Sequence, residues 1–270
     1  MEEGTLSPPP PNAPAPRGAP ARHASGRAFA DLAKSLLVVL LLALFGTTFI
    51  VQAFKIPSQS MEPTLLVGDH LLVNKFLFAC EEGGAWYEKL LPCRAVRRGD
   101  IIVFKFPFDS HPDYVKRVIG LPGDRIRIVH GQVYVNGKPI EEPYAIHDPS
   151  AGDPFADNFP PTNRFFLAFG LRPEWSDQIM QYDQHGELVV PPGRYFVLGD
   201  NREHSWDSRY WGFVDRDAIL GRPVVIYWSV QATSEDYDDR SLAATARGIV
   251  ETLSHLPSRT RWHRVLREVH

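Results

Sequence analysis

Two serines in the stretch Ile56-Pro57-Ser58-Gln59-Ser60-Met61-Glu62-Pro63-Thr64-Leu65 are the residues best placed to do chemistry. Pro57 and Pro63 bracket them, and each proline stiffens the backbone by fixing its own φ. The stretch begins almost immediately after a long apolar run without charge. A stiffened turn there would hold a reactive hydroxyl at a bilayer surface, within reach of substrates embedded in the bilayer. Taken alone, a serine after a proline is an ordinary turn former.

Other chemistries find little support. There is no G-x-S-x-G elbow, no H-E-x-x-H zinc helix and no S-x-x-K motif. The ten histidines are scattered, with no metal-ligand spacing among them, and His204 sits in a polar turn. Two cysteines, Cys80 and Cys93, exclude a four-cysteine zinc site and a disulfide scaffold. With Gly83-Gly84 between them they suit either one loop-closing disulfide in an exported domain or two free thiols. A net charge of −3 gives no reason to expect a nucleic-acid partner.

The elements that must position the serines are legible in outline. Residues 1–28, with Pro8 to Pro11, Pro14, Pro16 and Pro20, cannot bury enough apolar surface to offset the entropy of ordering, and are expected to be disordered. After Lys34, the 20 residues from Ser35 to Phe54 carry no charge, enough to cross a hydrocarbon core of roughly 30 Å as a helix. A transmembrane anchor is therefore expected over 33–54. Arg17, Arg22, Arg27 and Lys34 precede it, which places the N-terminus in the cytoplasm and the rest outside. A cleaved signal peptide ending at Val51-Gln52-Ala53 fits less well, because the preceding region and the apolar core are both too long.

Beyond the anchor, 24 prolines and 20 glycines separate short apolar runs. His70 to Lys75, Ile101 to Phe106, Arg125 to Val129, Gln132 to Val135, Arg194 to Leu198 and Pro223 to Trp228 read as strands, with a hairpin turn at Asn136-Gly137. The expectation is a mainly β, antiparallel domain over 55–230, with an inserted subdomain at about 143–190 where Pro, Asp and Asn clusters break the rhythm. With 44% hydrophobic residues it can bury a sizeable core. A C-terminal extension, 231–270, holds a weak helical pattern over 241–254 and an arginine-rich tail from Arg259 to His270, suited to acidic lipid.

Four segments occur in order after the anchor: Ser58 to Leu65; Arg98-Gly99-Asp100-Ile101-Ile102-Val103-Phe104; Asp113-Tyr114-Val115-Lys116-Arg117-Val118-Ile119-Gly120-Leu121-Pro122-Gly123-Asp124; and Gly199-Asp200-Asn201-Arg202-Glu203-His204-Ser205-Trp206-Asp207-Ser208-Arg209-Tyr210-Trp211-Gly212. Together they closely resemble bacterial type I signal peptidase, the leader peptidase family. The resemblance covers most of 50–140 and 190–228. It implies a serine endopeptidase with a Ser-Lys dyad, in which Ser60 is the nucleophile and Lys116 the general base. A free lysine is protonated at neutral pH, with a pKa of about 10.4. Lys116 must therefore be buried, and its apolar neighbours Tyr114, Val115, Val118 and Ile119 allow that. Read singly, a lysine alternating with Tyr and Val points out of a strand into solvent.

By the same matching, Ser205 orients the lysine amine through a hydrogen bond to Lys116. The Ser60 N–H and the Ser58 hydroxyl form the oxyanion hole, and Asp207 with Arg209 supports the loop of Ser205. Phe54, Ile56, Met61, Leu65, Val103, Tyr114 and Val115 resemble the residues lining shallow pockets for small side chains, suited to A-x-A sites. Gln59 and His204 depart from the family pattern, where a smaller residue and Asn are often found. Neither replaces a reacting group. The family implies no metal and no organic cofactor, signal peptides of preproteins as substrates, contact with membrane lipid, and a monomer. It also implies single-pass residence in the bacterial inner (plasma) membrane with a periplasmic or otherwise extracytoplasmic catalytic domain. Two rival readings are a self-cleaving repressor-type Ser-Lys protease and an inactive membrane-tethered binder of export substrates.

Overall fold

A computed structural model describes residues 22–80, 93–106, 113–161, 170–233 and 256–270. The Pro-rich stretch Pro8 to Pro20 and the helical pattern at 241–254 lie outside these residues. Helix α1, Arg22–Phe45, starts inside the segment expected to be disordered to residue 28. The chain after Pro20 has no further proline before Pro57, and alanine and leucine favour helix. The helix runs on into a π-helical turn at Gly46–Ile50, and strand β1, Val51–Lys55, follows. The charge-free run thus divides between helix and strand. Among the described residues no helix is long and apolar enough to cross a membrane. Leu36, Leu37, Val39 and Leu42 on α1 are all exposed.

The unit from Thr47 onward is mainly β, and its strands pair antiparallel. The strands after β1 are β2 (Asp69–Asn74), β3 (Ile101–Phe104), β4 (Tyr114–Gly120), β5 (Arg125–Val129), β6 (Gln132–Val135) and β7 (Lys138–Pro139). They continue with β8 (Leu188–Val189), β9 (Arg194–Leu198), β10 (Val214–Asp215), β11 (Ile219–Ser229) and β12 (Arg267–Glu268). The larger sheet runs β1-β2-β11-β3-β4-β9-β10, with β12 also paired to β11; the smaller runs β7-β6-β5-β8. Asn136 and Gly137 both take positive φ, 54° and 74°, so the predicted two-residue turn joins β6 to β7 with the twist such hairpins need.

The insertion is integrated into the domain. Its helices α2 (Pro154–Asp157) and α3 (Pro173–Tyr182) bring Phe155, Trp175 and Ile179 into one apolar cluster with Ile126, Ile128 and Phe196 of the sheets. A second cluster, Ile56, Met61, Leu65, Leu71, Val73, Ile101, Val103, Ile226 and Val269, lies beneath the serine turn. Val269 belongs to the arginine-rich tail. One arginine of that tail, Arg264, turns inward, only 4% exposed, onto Asp69, which is 0% exposed.

Cys80 and Cys93 are joined, with Cα atoms 5.5 Å apart. Closing a loop of this size restricts the unfolded chain, so replacing both by serine is expected to lower stability by about 3 kcal/mol in urea melts. Thiol titration of the denatured, unreduced protein should find no free cysteine.

Candidate active site

Ser60 lies in a three-residue 3-10 turn, Gln59–Met61, and is buried with Met61. Neighbouring backbone closes the loop around it. The Ile56 N–H donates to the Asp69 carbonyl, the Gly68 N–H donates back to Ile56, and the Leu65 N–H caps Met61. From across the site Asn201 holds the turn twice: its backbone N–H donates to the Ser60 carbonyl and its side-chain amide to the Gln59 carbonyl, each at 3.2 Å.

Lys116 is on β4, opposite Ile102 of β3, and is 3% exposed. Both faces of the sheet are covered here, so the outward orientation usual for a strand lysine does not apply. Its Nζ lies 2.7 Å from Ser60 Oγ and 3.1 Å from the Val115 carbonyl. Both partners are neutral. Burial lowers the Lys116 pKa to about 8; Asp207 and Asp200 oppose that shift, and Arg209 adds to it.

The polar loop after β9 carries the supporting groups. Asp207 caps helix α4 (Ser208–Trp211), accepts from the Gly199 N–H at 3.1 Å, and receives both Nε and Nη2 of Arg209 at 2.8 and 2.9 Å. Burial pushes the Asp207 carboxyl up, but Arg209, together with Ser205 and the Gly199 N–H, more than offsets it and the net shift is down. Arg209 in turn donates to the Arg202 carbonyl, so the pair spans the loop. The expected hydrogen bond from Ser205 to Lys116 is not made: the Lys116 amine is directed to Ser60 and Val115, and the buried Ser205 hydroxyl, which reaches no partner at full hydrogen-bond geometry, lies beside Asp207 and helps to hold that carboxyl ionised. It is packed against Gly199, where an added Cβ would fall 2.2 Å from Ser205 Oγ and 2.4 Å from the Ser60 carbonyl oxygen. Only glycine fits that approach.

A cleft of about 300 Å³ opens over the pair, lined by Ile56, Pro57, Ser58, Ser60, Met61, Asp113, Tyr114, Val115, Lys116, His204 and Trp206. Ser58 Oγ is 3.4 Å from Ser60 Oγ, so both hydroxyls meet in it. Of the seven apolar candidates, Ile56, Met61, Tyr114 and Val115 line the cleft. Leu65 and Val103 are fully buried in the cluster beneath, and Phe54 packs partly buried against it. Sequence reasoning missed Pro57, Asp113, His204 and Trp206 as lining residues. It also missed the buried Asp200, which holds Arg117 at 2.8 and 2.7 Å and accepts from Thr64 Oγ1 at 2.5 Å. The signal was present in the unbroken polar run Asp200 to Ser205 after an apolar strand.

A buried serine hydroxyl in contact with a buried amine of weakened basicity, under a largely apolar cleft, is the equipment of a serine hydrolase. Residues 29–228 match the family described as Signal peptidase, peptidase S26, and the chain belongs to that family. It is 34% identical over 215 residues to a probable signal peptidase I-2 of Synechocystis sp., covering 77% of this chain and 78% of that protein. Signal peptidase I of Aquifex aeolicus is 34% identical, with 83% and 94% covered, and that of Pseudomonas aeruginosa 33%, with 74% and 72% covered.

The depressed pKa has a consequence for stability. Between about pH 8, the folded value, and about 10.4, the unfolded one, the folded chain binds fewer protons than the unfolded chain. Burying Lys116 therefore carries a penalty that is full below about pH 8 and fades as pH rises through that window. Lys116→Met is expected to be more stable than wild type at pH 7, by on the order of 3 kcal/mol, with the gap closing toward pH 10 in urea melts. A gap independent of pH would mean that Lys116 titrates as an ordinary lysine.

Proposed function

We propose that this protein is a membrane-anchored serine endopeptidase that removes signal peptides from exported preproteins, with Ser60 as nucleophile and Lys116 as general base. The observation that carries the reading is the 2.7 Å contact between Ser60 Oγ and a buried Lys116 Nζ. With the amine neutral, the same contact lets the serine O–H donate. As Oγ attacks the scissile carbonyl carbon, its proton passes to Nζ and the carbonyl π pair moves to oxygen. The Ser60 N–H and the Ser58 hydroxyl are suited to stabilise that oxyanion. Collapse breaks the C–N bond, and the Lys116 ammonium returns the proton to the departing amine of the mature chain. Water, deprotonated in turn by Lys116, then cleaves the ester and regenerates Ser60. No metal or organic cofactor enters these steps.

Asp207 and Arg209 brace the loop behind the dyad, and Ser205 packs in that loop against Gly199 and beside Asp207. Ile56, Met61, Tyr114 and Val115 give the cleft apolar walls that discriminate chiefly by size, which suits the alanines of an A-x-A site. The charge-free run from Ser35 and the exposed leucines of α1 support an N-terminal anchor, with Lys34 snorkelling at one interface. The basic residues before it favour a cytoplasmic N-terminus and an extracytoplasmic catalytic domain in the bacterial inner membrane. The partners are then preprotein signal peptides and lipid, with the enzyme acting as a monomer.

The test is cleavage of a preprotein carrying an A-x-A site, in detergent, by wild type, Ser60→Ala and Lys116→Ala. Wild type is expected to cut at that bond, and both variants to lose at least about 1,000-fold in rate. Activity surviving in Lys116→Ala would mean a different base. A folded wild type that does not cut but binds the preprotein would favour the inactive binder, and one that cuts only itself the repressor-type protease.

A further inference from the structure

The nucleophile turn is tied to a part of the chain that lies outside the family match at 29–228. Arg264, 4% exposed, places Nη2 2.6 Å from Asp69 Oδ2 and Nε 3.2 Å from Oδ1. The same Nη2 donates to the Thr64 carbonyl at 2.9 Å. One guanidinium thus fixes both ends of the segment from Thr64 to Asp69. Each end leads to the reacting groups. The Asp69 carbonyl accepts from Ile56, a cleft wall four residues before Ser60. The Thr64 hydroxyl donates to Asp200 Oδ2 at 2.5 Å, and Asp200 also holds Arg117, the neighbour of Lys116. Asn201, next to Asp200, holds the carbonyls of Gln59 and Ser60.

We propose that Arg264 is a positioning residue for the reaction: through Thr64, Asp69, Asp200 and Asn201 it sets the Ser60 turn against Lys116. The proposal rests on Ser60 being the nucleophile. The chemistry asks for arginine. Its planar fork satisfies a carboxylate and a carbonyl together, whereas a lysine ammonium offers no such fixed geometry. A purely structural ion pair would lower the melting temperature and leave the maximal rate alone. A positioning residue changes the rate of the bond-forming step, because an ångström of misplacement costs up to about 100-fold.

The experiment follows acylation of Ser60 by a small serine-directed acylating inhibitor, by mass spectrometry, in wild type, Arg264→Gln, Arg264→Lys and Thr64→Val. All are measured well below their melting temperatures. Labelling of wild type at Ser60 secures the underlying reading; its absence would remove that reading, and the proposal with it. Folded Arg264→Gln is expected to have a maximal acylation rate at least about tenfold lower, with the half-saturating inhibitor concentration unchanged to within about twofold. Arg264→Lys should recover part of the loss. Thr64→Val leaves the Arg264–Asp69 pair in place and should show the same kind of loss, which decides the matter if Arg264→Gln does not fold. A wild-type maximal rate in folded Arg264→Gln, or in Thr64→Val when the former is unfolded, would overturn the proposal.

Discussion

The site depends on one buried amine that has no carboxylate bound to it. Five cationic side chains are buried among the described residues: Lys116, Arg117, Arg202, Arg209 and Arg264. Each arginine is bonded to an acid, namely Asp200, Glu142, Asp207 and Asp69 respectively. Lys116 alone donates only to a hydroxyl and a backbone carbonyl. A charge in that position is costly, so the group gives up its proton more readily. A carboxylate at bonding distance would hold the amine charged and remove its use as a base.

That isolation is maintained by arrangement. Asp200 and Asp207 lie close enough to favour the charged lysine, yet each is committed to a guanidinium that spends its negative charge locally. The arginines also hold loops: Arg117 donates to the Gly99 carbonyl, Arg202 to that of Gly199, Arg209 to that of Arg202 and Arg264 to that of Thr64. The same contacts that neutralise the acids therefore fix the loops that carry Ser60 and face Lys116. Breaking one such pair would leave a buried charge unpaired, a change that is strongly destabilising in proteins generally.

Much of this was legible in the sequence, for identifiable reasons. Strands β2, β5, β6 and β9 follow from apolar runs between turn residues, and the turn at Asn136-Gly137 from its need for positive φ. The two serines stood out from their place between prolines just after the charge-free run, but Lys116 only as part of four ordered segments, because strand alternation by itself sends a lysine outward. What reversed that reading is a sheet covered on both sides, a tertiary fact. Leu65 and Val103 were misplaced for a related reason: an apolar side chain near a cleft looks the same in sequence whether it lines the cleft or lies one layer below. The inward turn of Arg264 was hidden because its acid, Asp69, is far away in the chain. The packing of Ser205 against Gly199 is a close tertiary approach, with no room for a side chain at Gly199, that no pattern of residue types encodes.

The most direct measurement is the titration of Lys116 itself, by NMR of protein labelled at the lysine ε-carbon, with Lys116→Arg to assign its resonance. A midpoint near 8 is the predicted result, well separated from the other lysines. A midpoint with the others, at about 10.4, would contradict the central claim, because a lysine of ordinary basicity could not take the proton of Ser60 near neutral pH.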